Sequence, residues 1–176
     1  MYPRNVAKVL SSVVLLALAT TPMSAADRPA TPGIVRVRLA GLYDAGTVKR
    51  SLARASGRLE KPQCQRLFTD FQDESGRPLQ DALDRAGLSG ADHLGTLLFY
   101  DGSGQPRCSG PRTLAFTFVG SHIVFVCAQQ FVAAARRDPI LADAALIHES
   151  LHSLGLGENP PTSSEITSRV ISRCRG

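Results

Sequence analysis

The sequence of 176 residues lacks several features that would point to other classes of protein. It has no CxxC pair, so its four cysteines do not indicate a zinc site built from cysteines. Its basic residues are not interleaved with aromatic side chains, so we expect no nucleic-acid partner despite a formal net charge of +5. After residue 26 no apolar segment is long enough to cross a bilayer, and we expect no stable membrane insertion.

The longest apolar run lies near the start of the chain. Lys8 precedes an apolar stretch over 9–19, and small residues at 24–26 suit cleavage by a signal peptidase. This pattern predicts a secretory signal peptide over 1–26 and one exported domain over 27–176, periplasmic or extracellular. An uncleaved membrane anchor is the alternative interpretation.

All four cysteines follow the predicted signal peptide. Outside the cytosol, four cysteines favour two disulfides, for which three pairings exist. We expect Cys108 to pair with Cys127, because the two bracket one predicted hairpin. The remaining pair, Cys64 with Cys174, would tie the last predicted helix to the body of the domain. Free core thiols for one pair are the alternative.

The most informative segment reads His-Glu-Ser-Leu-His and lies near the end of a predicted helix. Asp138, followed by proline, is a typical helix start, and Gly155 is a typical helix end. His148 and His152 are four residues apart, so both imidazoles fall on one helical face and can reach one metal ion. Glu149 lies about 100° round the helix, beside that ion, where its carboxylate can take a proton from a water molecule.

An apolar stripe at helical spacing runs along the same predicted helix. His148 and His152 continue the neighbouring row through Leu141 and Ala145, so we expect both histidines at the edge of the buried face. The alternative is a helix beside the core that carries two incidental histidines.

The segment 147–158 resembles the active-site helix and turn of the zincin metallopeptidases, whose zinc is held by both histidines and one further residue. The resemblance implies an exported zinc metalloendopeptidase that acts on a peptide or protein substrate. In such an enzyme, Glu149 would activate a zinc-bound water to hydrolyse a peptide bond. Two histidines and a carboxylate are also the donors expected for catalytic Zn²⁺. The alternatives are a zinc hydrolase of another bond, and a non-catalytic exported binding or structural protein on the same scaffold.

Two glutamates compete as the third ligand. Glu158 stands where metzincins carry a histidine or an aspartate, but metzincins also resemble one another in a methionine turn, and the only methionines are Met1 and Met23. Glu165 lies in the first turn of the last predicted helix, with Thr162 as its capping-box partner. Gluzincins resemble this arrangement, since their third ligand is a glutamate from the helix after the motif. We therefore expect a gluzincin-like site with Glu165 as third ligand and Glu158 as the alternative.

The rest of the pattern favours an α+β fold, a small zincin-like domain with a mixed sheet of about four strands. The sheet should back the motif helix, and a C-terminal helix should follow. In the predicted hairpin, we expect the face carrying Phe116 and Phe118 to pack against the motif helix. The remaining predicted elements are a strand over 34–39, helices over 48–59, 64–71 and 78–86, a strand over 93–100, and hairpin strands over 113–119 and 122–127.

Peptide hydrolysis also needs a donor for the negatively charged oxygen of the tetrahedral intermediate. The candidates in the sequence are Tyr43, Tyr100 and His122.

Overall fold

The computed structural model describes residues 36–176, and the predicted signal peptide lies outside this range. The described chain is an α+β fold with a mixed four-stranded sheet in the order β1-β2-β4-β3. Strands β1, β2 and β4 are parallel, and β3 is antiparallel to β4 at one edge. The strands are β1 (Arg36–Arg38), β2 (Leu98–Asp101), β3 (Ala115–Thr117) and β4 (Ile123–Val126).

The central helix is the one that carries the motif, since it contacts helices from both halves of the described chain and the edge strand β3. Among residues 36–176, no helix has both the length and the hydrophobicity that crossing a bilayer requires. The helices are α1 (Leu42–Leu59), α2 (Pro62–Gln65), α3 (Leu67–Asp70), α4 (Leu79–Ala86), α5 (Gly90–Thr96), α6 (Ala128–Arg137), α7 (Pro139–Ser153) and α8 (Ser163–Cys174).

Helix α1 begins at Leu42, earlier than predicted, and the helix predicted over 64–71 is divided into α2 and α3. Two further helices, α5 and α6, differ more from the sequence-based prediction. The first half of the predicted strand 93–100 is helical, because Ser89 and Asp92 form a capping box that starts α5. Only its second half is the strand β2. Helix α6 was not predicted, although its run of alanine, glutamine and arginine consists of good helix formers.

The hairpin has the predicted register, with Phe116 opposite Phe125, but the other face of the hairpin is buried in the main core. The expectation that the Phe116 and Phe118 face packs against the motif helix is therefore wrong. Phe118 is 54% exposed, and Phe116 packs in a small separate cluster. Both faces of the hairpin are apolar, so alternation alone could not choose between them. The face in the main core carries Ala115, Val124 and Val126.

Both expected disulfides are present. Cys64 pairs with Cys174, which joins α2 to the last residue of α8. Cys108 pairs with Cys127, which joins a 3-10 helix at Pro106–Ser109 to the end of β4. Two disulfides are consistent with the expected export.

A buried ion pair connects the motif helix α7 with α1. The carboxylate of Asp143 is fully buried and accepts hydrogen bonds from Arg54 at 2.8 Å and from Arg58 at 3.2 Å. Arg58 also donates to the main-chain oxygen of Cys174 at 2.7 Å, at the end of α8. Two arginines therefore hold α1, α7 and α8 together at one point.

Asp143→Ala should lower the free energy of unfolding by about 2–3 kcal/mol, because it leaves the Arg58 guanidinium partly buried without its counter-charge. Chemical denaturation measures this change. Asp70→Ala is the control, since it removes a carboxylate that pairs with Arg169 and Arg173 near the surface and should cost about 1 kcal/mol or less. Equal losses in the two variants would contradict this account of α7.

Candidate metal centre

The motif helix has both predicted ends. At its start, the Asp138 carboxylate accepts from the backbone N–H of Ile140 and of Leu141, at 3.1 and 3.2 Å. At its end, Gly155 has a φ of +110° and its N–H donates to the oxygen of His152 at 3.0 Å. The next N–H donates to the oxygen of Leu151 at 3.2 Å, which completes a Schellman motif. The helix therefore stops directly after the second histidine.

The structure brings His148, His152 and Glu158 together. The two Nε2 atoms are 2.8 Å apart, and Oε1 of Glu158 lies 3.2 Å from Nε2 of His152 and 3.5 Å from Nε2 of His148. Atoms that share one zinc ion at about 2.0–2.2 Å are separated by roughly 3.3 Å, so these distances suit a common ion. The histidines are buried and the Glu158 side chain is 49% exposed. This group could hold a metal ion.

Each imidazole has a hydrogen-bond partner at its Nδ1 atom, and these contacts orient both Nε2 atoms towards Glu158. Nδ1 of His152 lies 2.7 Å from the oxygen of Leu156. Because a carbonyl only accepts, Nδ1–H donates and Nε2 keeps a free lone pair in the neutral ring. Nδ1 of His148 lies 3.0 Å from the hydroxyl of Thr167 on α8. Such outer contacts fix the orientation of metal-binding imidazoles.

Burial controls protonation at the centre. It lowers the pKa of His148 to about 4, helped by His152 and opposed by the Glu158 charge. His148 is therefore a neutral imidazole near pH 7, as a ligand must be. Burial also raises the pKa of Glu149 to about 8, and the Glu158 charge adds to the rise. The backbone of Thr117 and the charge of Arg107 act in the opposite direction.

The structure does not bring Glu165, the preferred third ligand, to the histidines. Its carboxylate folds back over the start of α8 and accepts from the N–H and the hydroxyl of Thr162, both at 2.7 Å. These contacts, the backbone one first, lower the pKa of Glu165. The Glu165 carboxylate forms the capping box instead, and Glu158, the alternative, lies beside the two histidines.

A loop that the sequence did not single out supports the turn carrying Glu158. The N–H of Glu74 donates to the oxygen of Gly155 at 3.2 Å. Asp73 anchors this loop by accepting from the N–H of Ser75 at 2.9 Å. A Cβ added at Gly155 would lie only 3.1 Å from Cβ of Asp73, so glycine is required by close approach as well as by its φ. Loop and turn thus position the third side chain together.

The histidines and Glu149 lie in a cleft of about 1240 Å³. The row that was predicted to run from Leu141 through Ala145 to the histidines forms one side of it. The edge strand β3, helix α6 and the first turns of α8 form the others. None of the oxyanion candidates, which are Tyr43, Tyr100 and His122, is among the residues that line this cleft.

The edge of β3 that faces away from β4 has no partner strand within residues 36–176. The N–H of Cys127 donates to the oxygen of Leu114 at 3.0 Å, so these two residues form a hydrogen-bonded pair. Such pairs alternate along an antiparallel ladder, which directs the backbone groups of Ala115 and Thr117 to the free edge. Both residues line the cleft.

Comparison with protein-family models, with curated proteins and with solved structures finds no match for this chain. Its function therefore has to be inferred from its own side chains.

Removing Glu158 should weaken zinc binding, whereas removing Glu165 should not. Glu158→Ala should raise the dissociation constant for Zn²⁺ at least about 100-fold, because a charged ligand is lost. Glu165→Ala should leave this constant within about twofold, because its carboxylate bonds to Thr162 and not to the metal centre. Competition with a chromophoric chelator measures both constants. The reverse ranking would return Glu165 to the ligand set.

A buried histidine behind the site should make stability depend on pH. Nε2 of His93 lies 2.7 Å from the hydroxyl of Ser153, which itself donates to the oxygen of Ser150. Burial, and then the nearby His122, lowers the pKa of His93 from 6.5 to about 4. Between these values the unfolded chain binds a proton that the folded chain does not, so the stabilising effect is present above pH 6.5 and lost as the pH falls.

Wild type should accordingly lose about 2 kcal/mol more stability than His93→Gln between pH 7 and pH 4.5. Urea denaturation of both proteins in zinc-free buffer tests this difference. Identical pH dependence in the two proteins would mean that His93 does not titrate as described.

Proposed function

We propose that this chain is a zinc-dependent metallopeptidase that hydrolyses peptide bonds. The observation that carries the proposal is the convergence of two imidazoles and one carboxylate on a single point in a cleft, with a second carboxylate, that of Glu149, on the adjacent helix position. In this proposal His148, His152 and Glu158 are the metal ligands, and Glu149 is the general base.

The donor set suits Zn²⁺, because two nitrogens and one oxygen from protein are typical of catalytic zinc sites, and the glutamate directly after the first histidine completes a motif typical of zinc enzymes. Structural zinc sites are closed by four protein ligands, whereas this group has three side chains and opens to a cleft. When bound, the ion supplies Lewis-acid chemistry, acidifying a water molecule and polarising a carbonyl group.

Glu149 has the position that proton transfer requires. It follows a ligand directly, so it lies about 100° round α7 and does not converge on the ligand atoms. Glu149 acts in its ionised form, which burial disfavours and the positive charge of a bound ion would favour, and it takes one proton from the attacking water, whose oxygen bonds to the carbonyl carbon. The same proton then passes to the amide nitrogen as the C–N bond breaks. The products are a carboxylic acid and an amine.

The free edge of β3 supports a peptide as the substrate. An extended peptide can pair with an exposed strand edge through its own N–H and C=O groups. Ala115 offers such groups along the cleft, and the N–H of Thr117 faces the Glu149 carboxylate. A peptide held in this way would place one of its carbonyl groups near the base, which favours peptide bonds over other bonds.

Membership of the zincins is part of the proposal. The glutamate side chain of the third ligand resembles the gluzincins, whereas its place three residues after Gly155 resembles the metzincins. It comes, however, from the turn directly after the motif helix and not from the following helix. The proposed setting is the periplasm or the extracellular space, supported by two disulfides and by the predicted signal peptide.

Replacing Glu149 should separate metal binding from turnover. Zinc-loaded Glu149→Ala should keep about one zinc per chain and lose about 10²–10⁴-fold in kcat, because only the proton transfer is removed. Mass spectrometry gives the metal content, and cleavage of an unfolded protein gives the rate. Glu60→Ala, which removes an exposed carboxylate at the end of α1, is the control and should match wild type.

An active Glu149→Ala would rule out the proposed mechanism. Zinc binding by wild type without cleavage of any protein or peptide would favour the non-catalytic alternative.

A further inference from the structure

The cleft carries positive charge that the proposed chemistry does not use. Arg107, Arg112 and Arg137 all line it. The carboxylates that line it, within the described chain, are Glu149 and Glu158, and both already have a role at the metal centre. Outside the metal centre, the charged side chains that line the cleft are therefore all positive.

These three arginines differ from five others in the described chain in having no ion-pair partner. Within residues 36–176, none of the three forms an ion pair with a carboxylate, so their charge is available to a ligand. The arginines that do form ion pairs lie elsewhere, and they are Arg54, Arg58, Arg77, Arg169 and Arg173.

Arg107 is held in place before any ligand arrives. Its guanidinium carbon lies 5.4 Å from the ring centre of Phe116 and 5.0 Å from that of Phe118. The next residue, Cys108, is fixed by its disulfide, and its oxygen accepts from Gln130 of α6 at 2.6 Å. Stacking on aromatic rings leaves the in-plane N–H donors of a guanidinium free for a carboxylate.

The other two arginines adjoin the ends of α7 and β3 that are opposite to the histidines, because His152 lies near the end of α7 and its oxygen accepts from the N–H of Gly120, which follows β3. Arg137 ends α6, and Arg112 precedes β3. From Leu141 to His148 the motif helix advances about 10 Å, which is about three residues of an extended peptide. A peptide on the β3 edge would thus reach these charges a few residues from its cleaved bond.

From these observations we infer that the cleft selects acidic peptides, with Arg107 as the specificity-determining residue and Arg112 and Arg137 binding a further carboxylate. This inference rests on the proposed function. The carboxylate can come from an aspartate or glutamate side chain or from the C-terminus of the peptide, and both have the same chemistry. A peptide is favoured over other polyanions because the free backbone edge of β3 lies along the same cleft.

Binding is measured first, on zinc-loaded Glu149→Ala, by fluorescence anisotropy of labelled decapeptides. The probes are an amidated Glu-Ala repeat, an amidated Gln-Ala repeat, and a Gln-Ala repeat with a free C-terminus. The Glu-Ala peptide should bind at least about tenfold more tightly than the amidated Gln-Ala peptide, since charge-assisted hydrogen bonds are lost in the latter. Tight binding of the third peptide would identify the C-terminus as the carboxylate source.

Arg107→Gln, introduced into the same protein, should reduce the Glu-to-Gln preference to about threefold or less, and Arg112→Gln and Arg137→Gln should each reduce it in part. Arg85→Gln on α4 is the matched control, because it removes the same charge outside the cleft and should keep the preference. No preference in the parent protein, or a preference that survives Arg107→Gln, would overturn the inference. So would equal competition by a single-stranded oligonucleotide.

Cleavage of a pool of natural peptides by the wild-type zinc protein separates this inference from the proposed function. Cut sites enriched in aspartate and glutamate would support both. Cleavage without such enrichment would overturn the inference and leave the peptidase proposal standing. Selective binding of the Glu-Ala peptide without any cleavage would support the inferred preference for acidic peptides and would count against the peptidase proposal.

Discussion

The chain reverses direction at Gly155, and the geometry of the metal centre depends on this reversal. The Schellman motif ends α7 one residue after His152 and brings the oxygen of Leu156 to the far side of the His152 ring. The same turn carries Glu158 back towards both histidines. One backbone feature therefore sets the tautomer of His152 and the position of Glu158. The loop at Asp73 packs closely against the glycine, so that a Cβ there would lie 3.1 Å from Cβ of Asp73.

Burial gives the site its chemical character. The motif helix is surrounded by packed elements, so His148 and Glu149 are both held in a poorly hydrated environment that favours their neutral forms. The same helix tolerates the fully buried Asp143 because two arginines from α1 pair with it. On the cleft side, arginines without counter-charges meet solvent. The fold thus separates a structural ion pair from charges that are free to bind a ligand.

Much of this could be predicted from local sequence patterns. The limits of α7, the start of α8 and the row of cleft-lining residues follow from caps, a glycine and helical spacing. The two disulfides followed from which cysteines bracket a hairpin and which end the last helix. These features are local, or depend on few alternatives, so the sequence restricts them strongly.

The structure differs from the sequence-based predictions where one pattern allowed two structures. Glu165 could serve as cap or as ligand, and a single carboxylate cannot do both. Both faces of the hairpin were apolar, so the choice of buried face depended on packing against distant helices. The capping box at Ser89 lay just before an apolar run that also suited a strand. A local capping box decided the first and third cases, and tertiary packing decided the second.

The central claim is that one zinc ion binds His148, His152 and Glu158. A crystal structure of the zinc-loaded protein, with anomalous data collected on both sides of the zinc absorption edge, tests it most directly. We predict one anomalous peak, about 2.0–2.2 Å from Nε2 of each histidine and from a carboxylate oxygen of Glu158. A zinc ion bound by other residues, or no peak at the histidines in zinc-saturated crystals, would contradict the account.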